Sequence, residues 1–119
     1  MSLNQSVLIC DQVSSTLKEI LEKNGLKVTY EPEITPEQTA EKIGNFQVVV
    51  VRSRTKMTRE LIAKADKCKI IARVGIGLDN IDQEAAKEKN IRVINAVEGA
   101  ITAVAELVIG LMISMAREI

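Results

Sequence analysis

The chain of 119 residues has no histidine and no tryptophan, and its aromatic content is one tyrosine and one phenylalanine. Without histidine it lacks the commonest general acid–base for work near neutral pH. An aromatic fraction of 2% argues against base-stacking platforms for nucleic acid and against a flavin sandwiched between rings. Sixteen basic and sixteen acidic residues cancel, so no overall field draws the chain to nucleic acid or to a membrane surface. Two cysteines, Cys10 and Cys68, lie beside predicted strands in no metal-ligand or redox spacing. They read as small hydrophobes in a reducing cytosol, and no metal site is expected. The longest apolar stretch, Leu107–Met115, is interrupted by Gly110 and Ser114 and is too short to span a bilayer. No basic-then-apolar leader opens the sequence, and a cytoplasmic protein is expected.

What the chain does contain is a regular alternation. Val7–Cys10, Lys27–Tyr30, Gln47–Val51, Lys69–Arg73 and Ile91–Ile94 read as strands. Between and after them come helical patterns over 15–24, from Thr35 to Ile43, from Thr58, from Asp82 to Asn90, and over 102–117. Thr35-Pro36-Glu37-Gln38 carries an N-cap threonine, a proline at the first helical position and a glutamine placed to cap back. Four consecutive valines, Val48–Val51, show no polar alternation, as a strand buried on both faces requires. Strict βα alternation implies right-handed crossovers and an α/β fold. The expected arrangement is a flavodoxin-like doubly wound parallel sheet of five strands, order 2-1-3-4-5, with helices on both faces.

In such sheets ligands bind outside the carboxyl ends of the strands. That edge would carry Asp11-Gln12, Arg52-Ser53-Arg54, the Val74–Gly77 stretch and the Asn95–Ala100 loop. Five cationic side chains, Arg52, Arg54, Lys56, Arg59 and Arg73, are therefore expected to meet around one small acidic molecule, although Arg59 sits one turn into a helix and also reads as surface. Arginine grips carboxylate or phosphate with a planar fork, and Gly75 and Gly77 open the backbone to a close-approaching anion. Gly75-Ile76-Gly77 does not read as a dinucleotide loop, because Asn80 stands where a third glycine is needed. No cofactor is expected to bind this chain by itself. A receiver-type aspartate at the end of the third strand is also missing, its place taken by Arg52.

Three ordered motifs give the chain a likeness. Val51-Arg52-Ser53-Arg54-Thr55-Lys56-Met57-Thr58, then Ile71–Asp82 with its Arg73-Val74-Gly75-Ile76-Gly77-Leu78-Asp79-Asn80, then Asn95-Ala96 with Ala103-Val104-Ala105-Glu106, resemble the D-isomer-specific 2-hydroxyacid dehydrogenases over essentially the whole length. The resemblance implies the substrate-binding segment of a longer NAD-dependent enzyme, acting on a small phosphorylated 2-hydroxy acid. It places Arg52 and Ser53 in the substrate loop, Arg54 and Lys56 as helpers for phosphate, and Gly75 and Ile76 as amides for the carboxylate; Arg73 is expected at the site from the cation cluster, not from the resemblance. It assigns no catalytic residue to this chain, since the family supplies its catalytic groups and its NAD glycine motif from a nucleotide-binding domain. Residues 1–119 are then one substrate-binding domain, and 102–119 the helix that would lead into that partner domain. The family pattern Asn-Ala-Pro is broken here by Val97, and Ala100 stands where a polar residue is usual.

The last helix is apolar nearly all round, with only Glu106, Ser114 and Arg117 as a polar strip. Left in water, its apolar side chains would cost on the order of 5–10 kcal/mol. Fold-back onto its own sheet is expected, with a residual patch that points to a homodimer through 102–119. The reading from another class is a non-enzymatic folding or interaction module, whose arginines bind nothing.

Overall fold

The computed structural model describes residues 5–96 and 98–117. Val97, singled out above, lies outside them. The elements run β1 (Ser6–Ile9), α1 (Ser15–Lys23), β2 (Lys27–Tyr30), α2 (Pro36–Lys42), β3 (Val48–Val51), α3 (Arg59–Ala63), β4 (Ile70–Val74), α4 (Gln83–Glu88), β5 (Arg92–Ala96) and α5 (Ile101–Arg117). Short 3₁₀ turns at Ile43–Asn45 and Glu98–Ala100 lead into β3 and α5. The five strands form one sheet in the order β2-β1-β3-β4-β5, every pairing parallel, as the alternation requires.

Side chains alternate across this sheet and build two separate cores. Val7 and Ile9 of β1, Val48 and Val50 of β3, and Ile70, Ala72 and Val74 of β4 pack under α1 and α5. Leu8, Val49, Val51 and Ile71 point the other way, against Ile43, Leu61, Ile62, Ala85 and Ala86. All four valines of β3 are fully buried, which explains their unbroken apolar run. Each such side chain contributes about 1.5–3 kcal/mol of transfer free energy.

The helix boundaries follow local chemistry. Thr35 Oγ1 accepts the Gln38 N–H while Gln38 Oε1 accepts the Thr35 N–H, a complete capping box at α2. Thr58 and Asp82 cap α3 and α4 through the N–H groups of Leu61 and Ala85. Asn90 stops α4 in the left-handed conformation, φ 59°, a region that asparagine tolerates best after glycine.

Helix α5 lies back on its own sheet. Val104, Ala105, Val108 and Met112 are buried with α1 residues Leu17 and Leu21, and Ile109, Leu111 and Met115 pack partly against the same core. Leu107 is left 46% exposed, on the side facing away from the sheet. Both cysteines are buried, and burial pushes each thiol up to about 12. Among the described residues, no helix is long and apolar enough to cross a membrane.

Candidate functional site: an anion edge built on an internal carboxylate

The order β2-β1-β3 places the end of β1 beside the end of β3, so Asp11 lies next to the turn that follows β3. Its side chain is buried, and it is fully engaged. Oδ2 accepts the Arg52 N–H at 2.6 Å and the Thr55 N–H at 3.2 Å. Oδ1 accepts the Thr55 hydroxyl at 2.6 Å and lies 3.0 Å from Arg54 Nε. A carboxylate accepting this many donors is stable when buried because each lone pair is served. The turn at 52–55 thus already cradles an anion, and the anion is the chain's own.

This changes the roles expected of the cations. Arg54 directs Nε at Asp11, Nη2 at the Cys10 carbonyl (2.5 Å) and Nη1 at the Ile34 carbonyl (3.1 Å). Its fork is committed to the scaffold. Arg59 does not join the cluster: it sits on α3 and pairs with Glu88 at 2.8 Å and more distantly with Asp82, both on the neighbouring α4 side. The hydrogen bond from Arg59 holds the Glu88 carboxyl below its usual range. Lys56 Nζ donates to the Ser53 carbonyl at 3.0 Å and remains exposed, as does the Ser53 side chain. Arg52, half-buried, reaches back to the Gln12 carbonyl at 3.1 Å.

Arg73, at the end of β4, joins the two loops. Its Nε donates to the Arg52 carbonyl at 3.3 Å and its Nη1 to the Gly77 carbonyl. The Gly75–Gly77 turn wraps round this guanidinium. Gly75 has φ 151°, and a Cβ there would lie 3.4 Å from Arg73 Cζ. A Cβ on Gly77 would sit 2.8 Å from Asp79 Oδ1 and 3.2 Å from Arg73 Nη1. Neither position admits a side chain without rearrangement. The tip, Ile76, is 80% exposed, and its carbonyl is tied to β5 by Asn95 Nδ2 at 2.6 Å. The N–H groups of Ile76 and Gly77 meet no acceptor among the described residues. Two consecutive open donors beside a guanidinium form a seat for a carboxylate or phosphate.

The loops are also stitched at their bases. Met57 and Ile81 form an isolated parallel bridge, closed by Met57 N–H to the Asn80 carbonyl (2.8 Å) and Asp82 N–H to the Met57 carbonyl (2.9 Å). Four residues essential to this geometry were not singled out from the sequence for these roles: Asp11, Thr55, Asn80 and Asn95. The signal for Asp11 was available, since an acid directly after β1 in a 2-1-3 order must neighbour the β3 turn.

A groove of about 860 Å³ opens at the opposite edge, among Lys69, Lys87, Arg92, Leu111, Met112 and Met115. It holds none of the converging loops, so the carboxyl edge remains the candidate site. Among the described residues, no group of three or more His, Cys, Asp or Glu is placed to hold a metal ion.

Residues 7–114 match the model of the D-isomer specific 2-hydroxyacid dehydrogenase catalytic domain, and the chain belongs to that family. Its curated relatives include the D-3-phosphoglycerate dehydrogenase of Methanocaldococcus jannaschii, 47% identical over 95% of this chain. The chain spans only 21% of that enzyme's length. Among solved structures it resembles the NAD+-bound 3-phosphoglycerate dehydrogenase of Entamoeba histolytica (34% identity, TM-score 0.70, 77% of this chain and 32% of that one). A Pyrococcus horikoshii protein superposes over 98% of this chain and 34% of its own, with TM-score 0.76 and 31% identity.

Proposed function

We propose that this chain is the substrate-binding segment of an NAD-dependent D-3-phosphoglycerate dehydrogenase, an oxidoreductase of serine biosynthesis in the cytoplasm. The observation that carries the reading is the pair of open N–H groups at Ile76 and Gly77, set beside Arg73 at the carboxyl edge of the sheet. The carboxylate of a phosphorylated 2-hydroxy acid sits on the Gly75–Gly77 backbone, and Arg52 and Ser53, with Lys56 nearby, meet its phosphate. Arg54 contributes by holding the turn through Asp11, and Arg73 by shaping both turns.

Hydride transfer needs a positioned nicotinamide and a proton-transferring group. With no histidine in the chain, the nucleotide-binding domain of the longer relatives supplies both, and the 119-residue chain alone does not turn over. That domain, or a second copy of this chain, packs on the outward strip of α5 marked by Leu107.

The test is a titration of the 15N-labelled chain with 3-phosphoglycerate. With one wall of the site missing, the expected affinity is millimolar, about 4 kcal/mol. Shifts should appear at Ser53 and Gly75–Gly77 and weaken in Arg52→Ala. Absent shifts, or shifts unaffected by that substitution, would return the chain to a folding or interaction module that binds no such acid.

A further inference from the structure

The turn at 52–55 is gripped from both sides by two residues distant in sequence. Asp11 Oδ2 accepts the N–H groups of Arg52 and Thr55 at 2.6 and 3.2 Å. Asn80 Nδ2 donates to the carbonyls of the same two residues, at 2.5 and 2.8 Å. One side chain takes the donors at the two ends of the turn, and one takes the acceptors. The chemistry of each is fixed by that role. Asp11 faces donors only, which suits an ionised carboxylate and no amide. Asn80 must present its NH₂ group, because turning the amide over would set Oδ1 against two carbonyl oxygens. The remaining atom, Asn80 Oδ1, is buried and meets no donor among the described residues. Its open valence shows that the turn alone sets the orientation of this amide.

We propose that Asp11 and Asn80 are positioning residues for the ligand of this edge. Together they fix the Arg52–Thr55 turn at a set distance from the Gly75–Gly77 turn. Arg73 reinforces that distance, since it donates to Arg52 on one turn and Gly77 on the other. The pair of turns then works as a ruler, favouring a ligand that carries two anionic groups at one separation over a ligand that carries one. The inference rests on the anion-binding reading above and adds the source of its spacing.

The decisive variant is Asp11→Asn. It keeps the size of the side chain and removes a negative charge beside an anion site. Simple attraction therefore predicts tighter binding of 3-phosphoglycerate, whereas loss of the clamp predicts weaker binding, by about tenfold. Shifts of the Gly75–Gly77 amides with glycerate, which has the carboxylate alone, should stay as in the parent chain. Asn80→Ala should reproduce this pattern, and in both variants the amides of Arg52 and Thr55, which are bonded to Asp11, should exchange faster in the free protein. Equal or tighter binding of 3-phosphoglycerate to Asp11→Asn, with β1 and β3 amides native, overturns the proposal. Should neither variant fold, Thr55→Val removes one hydroxyl from Asp11 and should weaken binding in the same direction, to a smaller extent. A parent chain that binds no acid sinks the anion-binding reading, and the clamp is then decided by the exchange rates of Arg52 and Thr55 alone, which should rise in Asn80→Ala.

Discussion

Replacing Thr55 with valine isolates one hydrogen bond of the buried network. The two side chains have nearly the same shape and the same branching at Cβ, so neither a cavity nor a change of backbone preference is introduced. What disappears is the hydroxyl donor 2.6 Å from Asp11 Oδ1. Both residues are buried, Asp11 at 2% and Thr55 at 9% exposure, so water cannot easily replace the lost donor. Hydrogen bonds to charged groups contribute about 1.5–3 kcal/mol, and the carboxylate keeps three other donors, which places the expected loss near 2 kcal/mol. At a urea m-value of roughly 2 kcal/mol per molar, the unfolding midpoint should fall by about 1 M with no change in slope. Urea denaturation followed by far-ultraviolet circular dichroism measures this directly. A loss below about 0.5 kcal/mol, the usual range for an ordinary surface substitution, would mean that the Asp11 network is not the strut described here.

Two neighbours on α5 should behave in opposite ways if that helix lies on its own sheet. Val108→Asp buries a charge in the core and should abolish cooperative unfolding, while Leu107→Glu should leave the melting temperature within a few degrees. Comparable effects from the two would place the helix elsewhere. The cysteines predict an alkaline limit. Burial raises their folded thiols from the ordinary 9.0 to about 12, so the stability they support is complete below pH 9 and is lost as pH rises towards 12. Each thiol should contribute a slope of about 1.4 kcal/mol per pH unit within that window, and Cys68→Ala should remove one such slope from a pH series of denaturation curves. A series with the same slope in both proteins would refute the assignment.

The fold was legible where local chemistry and burial agree. The four valines of β3 announced a strand covered on both faces, and both are covered. Thr35 and Gln38 announced a capping box, and both of its hydrogen bonds form. Boundaries slipped by a residue or two at the strand ends, where β5 runs Arg92–Ala96 and β1 starts at Ser6, because strand ends depend on the neighbouring strand's register. The cation cluster was legible as composition but not as geometry. Arg54 looks like a ligand contact until Asp11, 43 positions earlier in the sequence, is brought beside it by the β1–β3 pairing. Arg59 looks like a member until the helix that follows Thr58 carries it round to Glu88. Side-chain direction at a loop is set by partners far away in the chain, and spacing alone does not report them.

The two outermost strands bear on how this chain behaves in concentrated solution. β2 and β5 each pair on one side only, so alternate residues along each of these strands present unpaired main-chain groups at the margin. Such margins invite pairing between molecules unless short length or charge discourages it. Here both devices are present, with Lys27 opening β2 and Arg92 opening β5, each exposed. Because the molecule as a whole is uncharged at neutral pH, no general repulsion keeps copies apart, and these two cations act locally in its place. Colloidal stability should therefore depend on salt, which screens lysine and arginine at the margins while leaving the buried cores untouched.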